Sequence, residues 1–219
     1  MRFLSAREVA LLADAIEPRY ATLVYFLAYA GVRIGEAAAL KIDKLDLLRG
    51  YVTIEDTLSE VAGRLSIGPT KTGNKRRVTL PPFLRAILAD YIPRYPSAGG
   101  FLFGSPGGGP LRPGNFLSRF FDKAVKKAGL EPFRVHDLRH TCAALLIGQG
   151  AHAKEIADRL GHSSPMVTMT VYAHILASLQ ERLTDGLEQA FRAAADTYLT
   201  PGEARGVVSL PANVAETGP

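Results

Sequence analysis

Apolar residues dominate the first forty positions, and polar or turn-forming residues mark where helices begin and end. Ser5 and Glu8 fit a capping box, which places a helix start at this point. A second, largely apolar helix is predicted to start near Pro18, because proline suits the first helical turn, and to end at Gly31. The helices predicted for this region cover 6–16, 18–31 and 34–40.

The pattern changes between residues 41 and 80, where short segments such as Tyr51-Val-Thr-Ile replace the long apolar runs. Glycine-containing turns separate these segments, as they do in antiparallel sheets. The predicted turns lie at Gly50, Gly63, Gly68–Pro69 and Gly73–Asn74. The predicted strands cover 51–54, 64–67 and 77–80, and together they indicate one small antiparallel sheet.

Helical patterns return after residue 81, interrupted by a Gly/Pro loop over 104–113. The predicted helices cover 82–92, 114–128, 136–149, 152–160, 164–171 and 174–194. The fold class is therefore mixed α/β, mainly α-helical with a small antiparallel β-sheet. We expect one domain over residues 1–195 and a flexible C-terminal tail over 196–219, whose last twenty residues include three prolines and three glycines.

Composition excludes several classes of protein. The single cysteine excludes a disulfide framework and a cysteine-rich zinc module. The first residues lack the apolar core of a signal peptide. The longest uncharged apolar run, from Tyr20 to Val32, has 13 residues, whereas a membrane span needs about 20. We therefore expect a soluble, cytoplasmic protein without a membrane partner.

Positive charge is concentrated in the middle of the chain. The formal net charge is +5, but residues 70–139 hold 13 Lys or Arg against 4 Asp or Glu. The rest of the chain holds 13 basic and 17 acidic residues and is net negative. A solvated basic surface is the ordinary explanation of such a segment, and a polyanionic partner is the more specific one.

The densest group of chemically active side chains is the run His136-Asp-Leu-Arg139-His140. Leu138 and Cys142 follow a helical rhythm, and at about 100° per residue they face away from the two histidines and the arginine. The predicted helix therefore buries its apolar face and presents two imidazoles and a guanidinium on the other.

Four further motifs accompany this run in a fixed order: Gly31-Val-Arg-Ile-Gly-Glu36, Pro69-Thr-Lys-Thr-Gly-Asn-Lys-Arg-Arg77, Leu160-Gly-His-Ser-Ser164 and Val171-Tyr-Ala-His174. Their order and spacing over residues 3–180 resemble the catalytic domain of the tyrosine recombinases, the phage-integrase family. Each motif alone is weak, whereas the complete set is specific.

The resemblance implies a site-specific recombinase or integrase that cuts and rejoins double-stranded DNA. A tyrosine hydroxyl attacks a phosphodiester and leaves a 3′-phosphotyrosine and a free 5′-hydroxyl, so neither ATP, a metal ion nor another cofactor is expected. It also implies a homo-oligomer, which is a tetramer on DNA and can be a monomer without DNA. We do not expect the residues of this sequence to include the family's N-terminal core-binding domain.

The resemblance assigns roles to six residues. Arg33 and Arg139 clamp the phosphate, since a guanidinium forks onto two phosphoryl oxygens. Tyr172 is the nucleophile, with Tyr198 as a remote rival. His136 is a general acid or base near the tyrosine.

The remaining two assignments are a hydrogen-bond donor and a general acid. His162 would donate to a non-bridging oxygen, and Lys71, on a hairpin, would protonate the leaving 5′-oxygen. Lys75, Arg76 and Arg77 compete with Lys71 for that role. His140 is predicted to be structural, and His152 and His174 to be exposed.

Three alternatives stay open. His136 and His140 have the spacing of a His-Glu-x-x-His zinc site, with Glu155 or Asp158 as a third ligand. An aspartate in place of the glutamate base, and an arginine beside the metal, argue against it. The second alternative is a DNA-binding module without catalysis, and the third is a type IB topoisomerase-like strand transferase, which uses the same kinds of side chains.

Overall fold

The structure is a computed structural model that describes residues 2–61, 63–70, 73, 75–173, 188–189 and 191–192. Residues 1–176 cluster as one compact unit. The helices are α1 (Ala6–Ala15), α2 (Pro18–Ala30), α3 (Ile34–Ala39), α4 (Pro82–Arg94), α5 (Pro113–Phe116), α6 (Asp122–Lys127), α7 (Asp137–Gly148) and α8 (Ala153–Leu160). The strands are β1 (Leu45–Asp46), β2 (Tyr51–Ile54), β3 (Asp56–Val61), β4 (Arg64–Pro69) and β5 (Arg76–Thr79).

The start of the chain folds as its sequence predicts. The Ser5 hydroxyl accepts a hydrogen bond from the backbone N–H of Glu8, and the Glu8 carboxylate accepts one from the backbone N–H of Ser5. This capping box opens α1, and Pro18 stands in the first turn of α2. Gly31 ends α2 with a φ of 71°, the left-handed conformation that glycine adopts without steric cost.

The predicted antiparallel pairing is present, but the described strands form two sheets rather than one. The first has the order β1-β2-β5, and Val52 of β2 lies opposite Leu45 on one side and Val78 on the other. The second is the hairpin of β3 and β4. The three predicted strands correspond to β2, β4 and β5.

Two details of the sheet prediction are wrong. Strand β3 was not predicted, because Leu58 is its one buried residue and the strand lacks a regular apolar alternation. Gly68 and Pro69 were predicted to form a turn but are the last residues of β4, where Pro69 lies opposite Asp56. Proline is tolerated there because β4 is an edge strand of a two-stranded sheet.

Helix α2 lies at the centre of the core and packs against α1, α4 and α7. Helix α7 buries Leu138 and Cys142 as predicted, but Arg139, predicted on the opposite and presented face, is also buried, because α7 packs into the core on more than one side. The buried apolar residues of α2 are Tyr20, Leu23, Val24, Phe26, Leu27, Ala28 and Ala30.

The later helices also follow the prediction. The helix predicted over 114–128 consists of α5, a π-helical turn (Leu117–Phe121) and α6, and a helical segment occupies residues 165–173. The predicted helix over 174–194 and the tail lie outside the described residues, apart from four positions that include the pair Arg192–Glu188 at 2.7 Å. None of the helices described is long and apolar enough to cross a membrane.

Candidate active site

The turn between α2 and α3 positions Arg33. Arg33 is the residue before the first turn of α3, and its backbone N–H donates to Glu36 Oε2 at 2.9 Å. Its Nη1 donates to Glu36 Oε1, also at 2.9 Å. One carboxylate therefore fixes both the main chain and the guanidinium of Arg33, whose side chain stays 35% exposed.

Glu36 also binds a second arginine, Arg76 of β5. Arg76 Nη1 donates to Oε1 at 3.1 Å and Nη2 donates to Oε2 at 2.6 Å, which is a bidentate pair. Burial alone would raise the pKa of Glu36, but the contacts with Arg76 and then Arg33 outweigh it and hold that pKa below its ordinary value. The ionised carboxylate thus joins α3 to β5.

Arg76 continues this connection to the end of α8. Its Nε donates to the backbone carbonyl of Arg159 at 3.0 Å. Gly161, which ends α8, has a φ of 68°, and a Cβ built on it would lie 2.7 Å from Arg76 Nη1. The close approach of the guanidinium therefore requires a glycine here, and this turn sets the position of His162.

Arg139 of α7 is the most buried of the site's arginines, with 3% of the residue exposed. Its Nη1 donates to the backbone carbonyl of Gly31 at 2.7 Å. Its Nη2 is buried and has no hydrogen-bond partner among the described residues. Burial, followed by repulsion from Arg33, lowers the pKa of Arg139 to about 10. An unpaired buried donor of this kind suits an anionic ligand.

Tyr172 lies in the helical segment 165–173 with its side chain buried. Its hydroxyl is 2.8 Å from Nδ1 of His140, and the two rings meet edge to face. Burial raises the pKa of Tyr172 to about 12, although the charge of Arg139 acts in the opposite direction. The hydroxyl is therefore protonated at neutral pH and must lose its proton before it can act as a nucleophile.

His136 lies at the start of α7 and packs edge to face against His140, with ring centroids 5.0 Å apart. Burial, followed by the charges of Arg139 and Arg33, lowers the pKa of His136. The histidine predicted to assist the tyrosine therefore contacts another histidine, and it is His140 that reaches the hydroxyl.

His162 faces the same group of arginines from the turn after α8. Its Nδ1 is 2.8 Å from the hydroxyl of Thr168, which is fully buried. Burial, followed by the charges of Arg139 and Arg33, lowers the pKa of His162 to about 4. The imidazole is therefore neutral at pH 7, and it can donate one hydrogen bond and accept another.

Five of the six predicted site residues lie in one region, close enough for the charge of one to change the pKa of another. Besides burial, the charges of Arg139, Arg33, His140 and Arg76 lower the pKa of His162, and the charge of Arg139 also opposes the burial that raises the pKa of Tyr172. Among the described residues, Glu36 is the one carboxylate that contacts these arginines. Three guanidiniums against one carboxylate leave a net positive site. The five residues are Arg33, His136, Arg139, His162 and Tyr172.

Lys71, the sixth, lies outside the described residues. Its three rivals have other contacts. Lys75 pairs with Glu55 at 2.7 Å, Arg76 binds Glu36, and the Arg77 guanidinium lies 4.8 Å from the centre of the Tyr51 ring. These contacts leave Lys71 as the prediction for the general acid.

The zinc alternative does not fit the geometry of the side chains it needs. The Nδ1 of His140 is engaged by Tyr172, Glu155 accepts from the backbone N–H of His152 at the start of α8, and Asp158 pairs with Lys154. Within the part of the chain that the structure describes, no group of three or more His, Cys, Asp or Glu side chains is placed to hold a metal ion.

Sequence reasoning missed two contacts of the site. It assigned His140 a structural place, although its one-turn spacing from His136 puts both rings on the same helix face. It did not connect Glu36 with Arg76, because Arg76 is forty residues away and no local pattern links the two.

The sequence model of the phage integrase family matches residues 2–178. The chain belongs to the phage integrase family. It is 31% identical over 175 residues to the integrase of Mycobacterium phage FRAT1, covering 76% of this chain and 52% of that protein. It is 31% identical over 179 residues to the ICEBs1 integrase of Bacillus subtilis (strain 168), covering 75% and 47% respectively. The chain thus spans about half the length of these relatives.

Solved structures of tyrosine recombinases share the fold. The XerA recombinase superposes with a TM-score of 0.69 at 26% identity, covering 85% of this chain and 65% of that chain. The catalytic domain of bacteriophage HP1 integrase gives a TM-score of 0.59 at 22% identity, covering 94% of this chain and 99% of that one. The tyrosine recombinase catalytic-domain fold expected from the motifs is therefore confirmed.

Proposed function

We propose that this chain carries the catalytic domain of a site-specific DNA recombinase, which cleaves and rejoins double-stranded DNA through a 3′-phosphotyrosine intermediate. The domain is placed in residues 1–195, of which the family match covers all but the last part. The observation that carries the proposal is the buried Tyr172 beside Arg139, whose charge acts on the tyrosine and whose Nη2 is buried without a partner in the described part of the chain.

The chemistry divides among the site residues as follows. Arg33 and Arg139 bind the non-bridging oxygens of the scissile phosphate and stabilise the charge that grows there in the transition state. His162 donates a further hydrogen bond to one of these oxygens. Tyr172 attacks the phosphorus, Lys71 protonates the departing 5′-oxygen, and His136 belongs to the acid–base group beside the tyrosine.

The substrate follows from the charge of the site and of its surroundings. A phosphodiester is an anion, and the site offers three guanidiniums against one contacting carboxylate. The excess of basic residues over 70–139 supplies charge for the rest of a duplex. Complexes of the Tn1549 transposon integrase with DNA, a fold relative at 20% identity and a TM-score of 0.70, are in keeping with this substrate. Assembly as a tetramer on DNA belongs to the same proposal.

The experiment is a suicide-substrate trap. The probe is a pool of duplexes with a randomised sequence around a nick, placed so that cleavage releases a short 5′-hydroxyl fragment that diffuses away. Covalent protein–DNA adducts are isolated under denaturing conditions, and the attached residue is mapped by mass spectrometry. A duplex sequence recovered from these adducts is then the substrate for all later rate measurements. We expect adducts at Tyr172 without added ATP or metal ion.

Tyr172→Phe removes one hydroxyl, and adduct formation should fall below detection. Tyr198→Phe is the matched control and should form adducts at the parental rate. Adducts that persist in Tyr172→Phe contradict the choice of nucleophile. DNA binding without any adduct from the parental protein favours the non-catalytic module, and relaxation of supercoiled DNA without strand exchange favours the topoisomerase-like enzyme.

A further inference from the structure

The hydrogen bond between His140 and Tyr172 contributes an element that the family motifs do not assign. Nδ1 of His140 lies 2.8 Å from the hydroxyl oxygen, a normal length for a hydrogen bond between an imidazole and a phenol. Two tautomers of His140 satisfy this contact, because a protonated hydroxyl can donate to an unprotonated Nδ1 or accept from a protonated one. Transfer of the hydroxyl proton to His140 uses the first, in which the imidazole carries its proton on Nε2 and the hydroxyl donates to Nδ1.

We propose that His140 is the general base that takes the proton of Tyr172 during DNA cleavage, in place of His136. The inference rests on the function proposed above, because it assigns a residue to the first step of that reaction. His140 touches the attacking oxygen itself, and geometry is the first requirement for a general base.

The step balances as follows. The lone pair on Nδ1 of His140 accepts the hydroxyl proton while the tyrosine oxygen forms a bond to phosphorus. The bond from phosphorus to the 5′-oxygen breaks, and that oxygen takes a proton from Lys71. The imidazolium of His140 returns its proton to the tyrosine oxygen when a 5′-hydroxyl later attacks the phosphotyrosine. No oxidant, metal ion or nucleotide is consumed.

The position of His136 suits a different task. Its ring packs edge to face on His140, one helical turn earlier on α7, and so restrains the orientation of the base. We therefore treat His136 as a positioning residue for His140. Its loss should slow the reaction without removing the proton acceptor.

The electrostatic surroundings keep His140 in the form that can accept a proton. Burial, followed by the field of His136, lowers the pKa of His140, so the imidazole is neutral at pH 7. The carboxylate of Asp137 acts in the opposite direction and favours the imidazolium once it has formed. The titratable and charged groups that face His140 are His136, Asp137, Arg139 and Arg134 on and before its own helix, His162 on the turn after α8, and Tyr172 on the segment 165–173.

The test is the rate of single-turnover adduct formation on the selected suicide duplex, measured from pH 5.5 to 9.5. For the parental protein, we expect the rate to rise with pH until His140 has lost its proton and to stay constant at higher pH. For His140→Asn, we expect a loss of about 10²–10⁴-fold at pH 7. The residual rate should rise about tenfold per pH unit, because hydroxide replaces the missing base. The matched variant His136→Asn should be slower than the parent but keep the plateau.

A second substrate separates the two proton transfers. A duplex with sulfur in place of the bridging 5′-oxygen has a leaving group that needs no proton. On this duplex, the defect of Lys71→Ala should disappear, whereas the defect of His140→Asn should remain. A His140→Asn defect that also disappears would place the residue at the leaving group and overturn the proposal.

Other outcomes also contradict the proposal. Cleavage by His140→Asn within a few-fold of the parent at every pH would show that His140 is not the base. Faster cleavage would show that the hydrogen bond only keeps the buried hydroxyl out of reach. If the cleavage rate rises about tenfold per pH unit in His136→Asn but not in His140→Asn, His136 rather than His140 is the general base. If the parental protein forms no adduct, the proposed function fails, and that result differs from all of these.

A measurement without a substrate covers the case in which His140→Asn does not fold. Nitrogen NMR of the imidazoles should show an unprotonated Nδ1 on His140 at pH 7. Tyr172→Phe should shift that Nδ1 resonance, because it removes the hydroxyl that donates to it. A protonated Nδ1, or a resonance unchanged by Tyr172→Phe, would overturn the proposal.

Discussion

The two halves of the site hold their arginines in opposite ways. In the first half, Arg33 and Arg76 both bind Glu36, and Arg76 also donates to a backbone carbonyl. In the second half, Arg139 has one backbone partner, and its other terminal nitrogen is buried with no partner within the residues that the structure describes. The first half is a paired network that fixes α3, β5 and the end of α8, whereas the second leaves hydrogen-bonding capacity free.

This difference supports the proposal that the second half binds the ligand. A buried unpaired donor destabilises a fold by about 1–3 kcal/mol, and more when it is charged, so it is retained where a ligand completes it. Glu36 is paired with two arginines and fixes their positions, and one of them, Arg33, is also proposed to bind the phosphate. We therefore expect substitution of Arg139 to slow cleavage more than substitution of Arg33 does, and substitution of Glu36 to lower stability first.

Among the variants that compare the two halves, Arg139→Lys has the largest expected effect on cleavage. A lysine keeps the charge but loses the planar fork, so one head group cannot serve both the Gly31 carbonyl and a phosphoryl oxygen. We expect the single-turnover rate of adduct formation to fall about 10²–10³-fold, as for the loss of one oxyanion donor. Thermal unfolding, followed in parallel, checks that the variant is folded.

Arg33→Lys is the matched variant for this measurement. The Arg33 side chain is 35% exposed and held by a carboxylate that a lysine can also contact. Its loss of rate should therefore be smaller than that of Arg139→Lys. Equal losses, or a larger loss for Arg33→Lys, would mean that the free nitrogen of Arg139 does not distinguish the two halves.

The next effect is that of Glu36→Gln on stability. The change keeps the size of the side chain but removes the charge that two arginines share. Breaking a buried ion pair leaves uncompensated charge and costs about 3–5 kcal/mol. We expect a loss of about 3 kcal/mol in the free energy of unfolding, measured by denaturant titration, because Arg33 can still reach solvent.

Glu55 provides a control with the same arrangement closer to solvent, since its own side chain is 15% exposed and those of Lys44 and Lys75 are 36% and 74% exposed. It bridges Lys44 at 2.6 Å and Lys75 at 2.7 Å, and these contacts lower the pKa of its carboxyl to about 2. Exposed ion pairs add little to stability because water and salt screen them. Glu55→Gln should therefore lower the free energy of unfolding much less than Glu36→Gln, and equal losses would contradict the role given to burial.

The sequence predicted the elements better than the contacts between them. The capping box of Ser5 and the helix stop at Gly31 depend on neighbouring residues, and both are confirmed. The pair of Arg76 with Glu36 depends on β5 packing beside α3, and no local pattern contains it. The choice between His136 and His140 depends on where the segment 165–173 places Tyr172, which is likewise a tertiary fact.

The smallest expected effect is a difference in pH dependence: the histidines of the site and Glu36 stop contributing to the free energy of unfolding at different pH values. His162 has a pKa of about 4 in the folded chain, below its ordinary value of 6.5. Between these values the unfolded chain binds a proton that the folded chain does not, so the free energy of unfolding falls as pH decreases from 6.5 towards 4. The lowered pKa values of His136 and His140 act in the same direction.

Glu36 responds in a lower window. Its pKa lies below the ordinary 4.5, so the stability that it contributes is complete above that pH and is lost only as pH falls further. Denaturant titrations at pH 7, 6 and 5 therefore separate the contribution of His136, His140 and His162 from that of Glu36. His162→Asn should show a shallower decline than the parent over this range, whereas Glu36→Gln should start lower but decline in parallel with the parent. An unchanged slope in His162→Asn would show that desolvation of this imidazole is not a source of the acid sensitivity of the site.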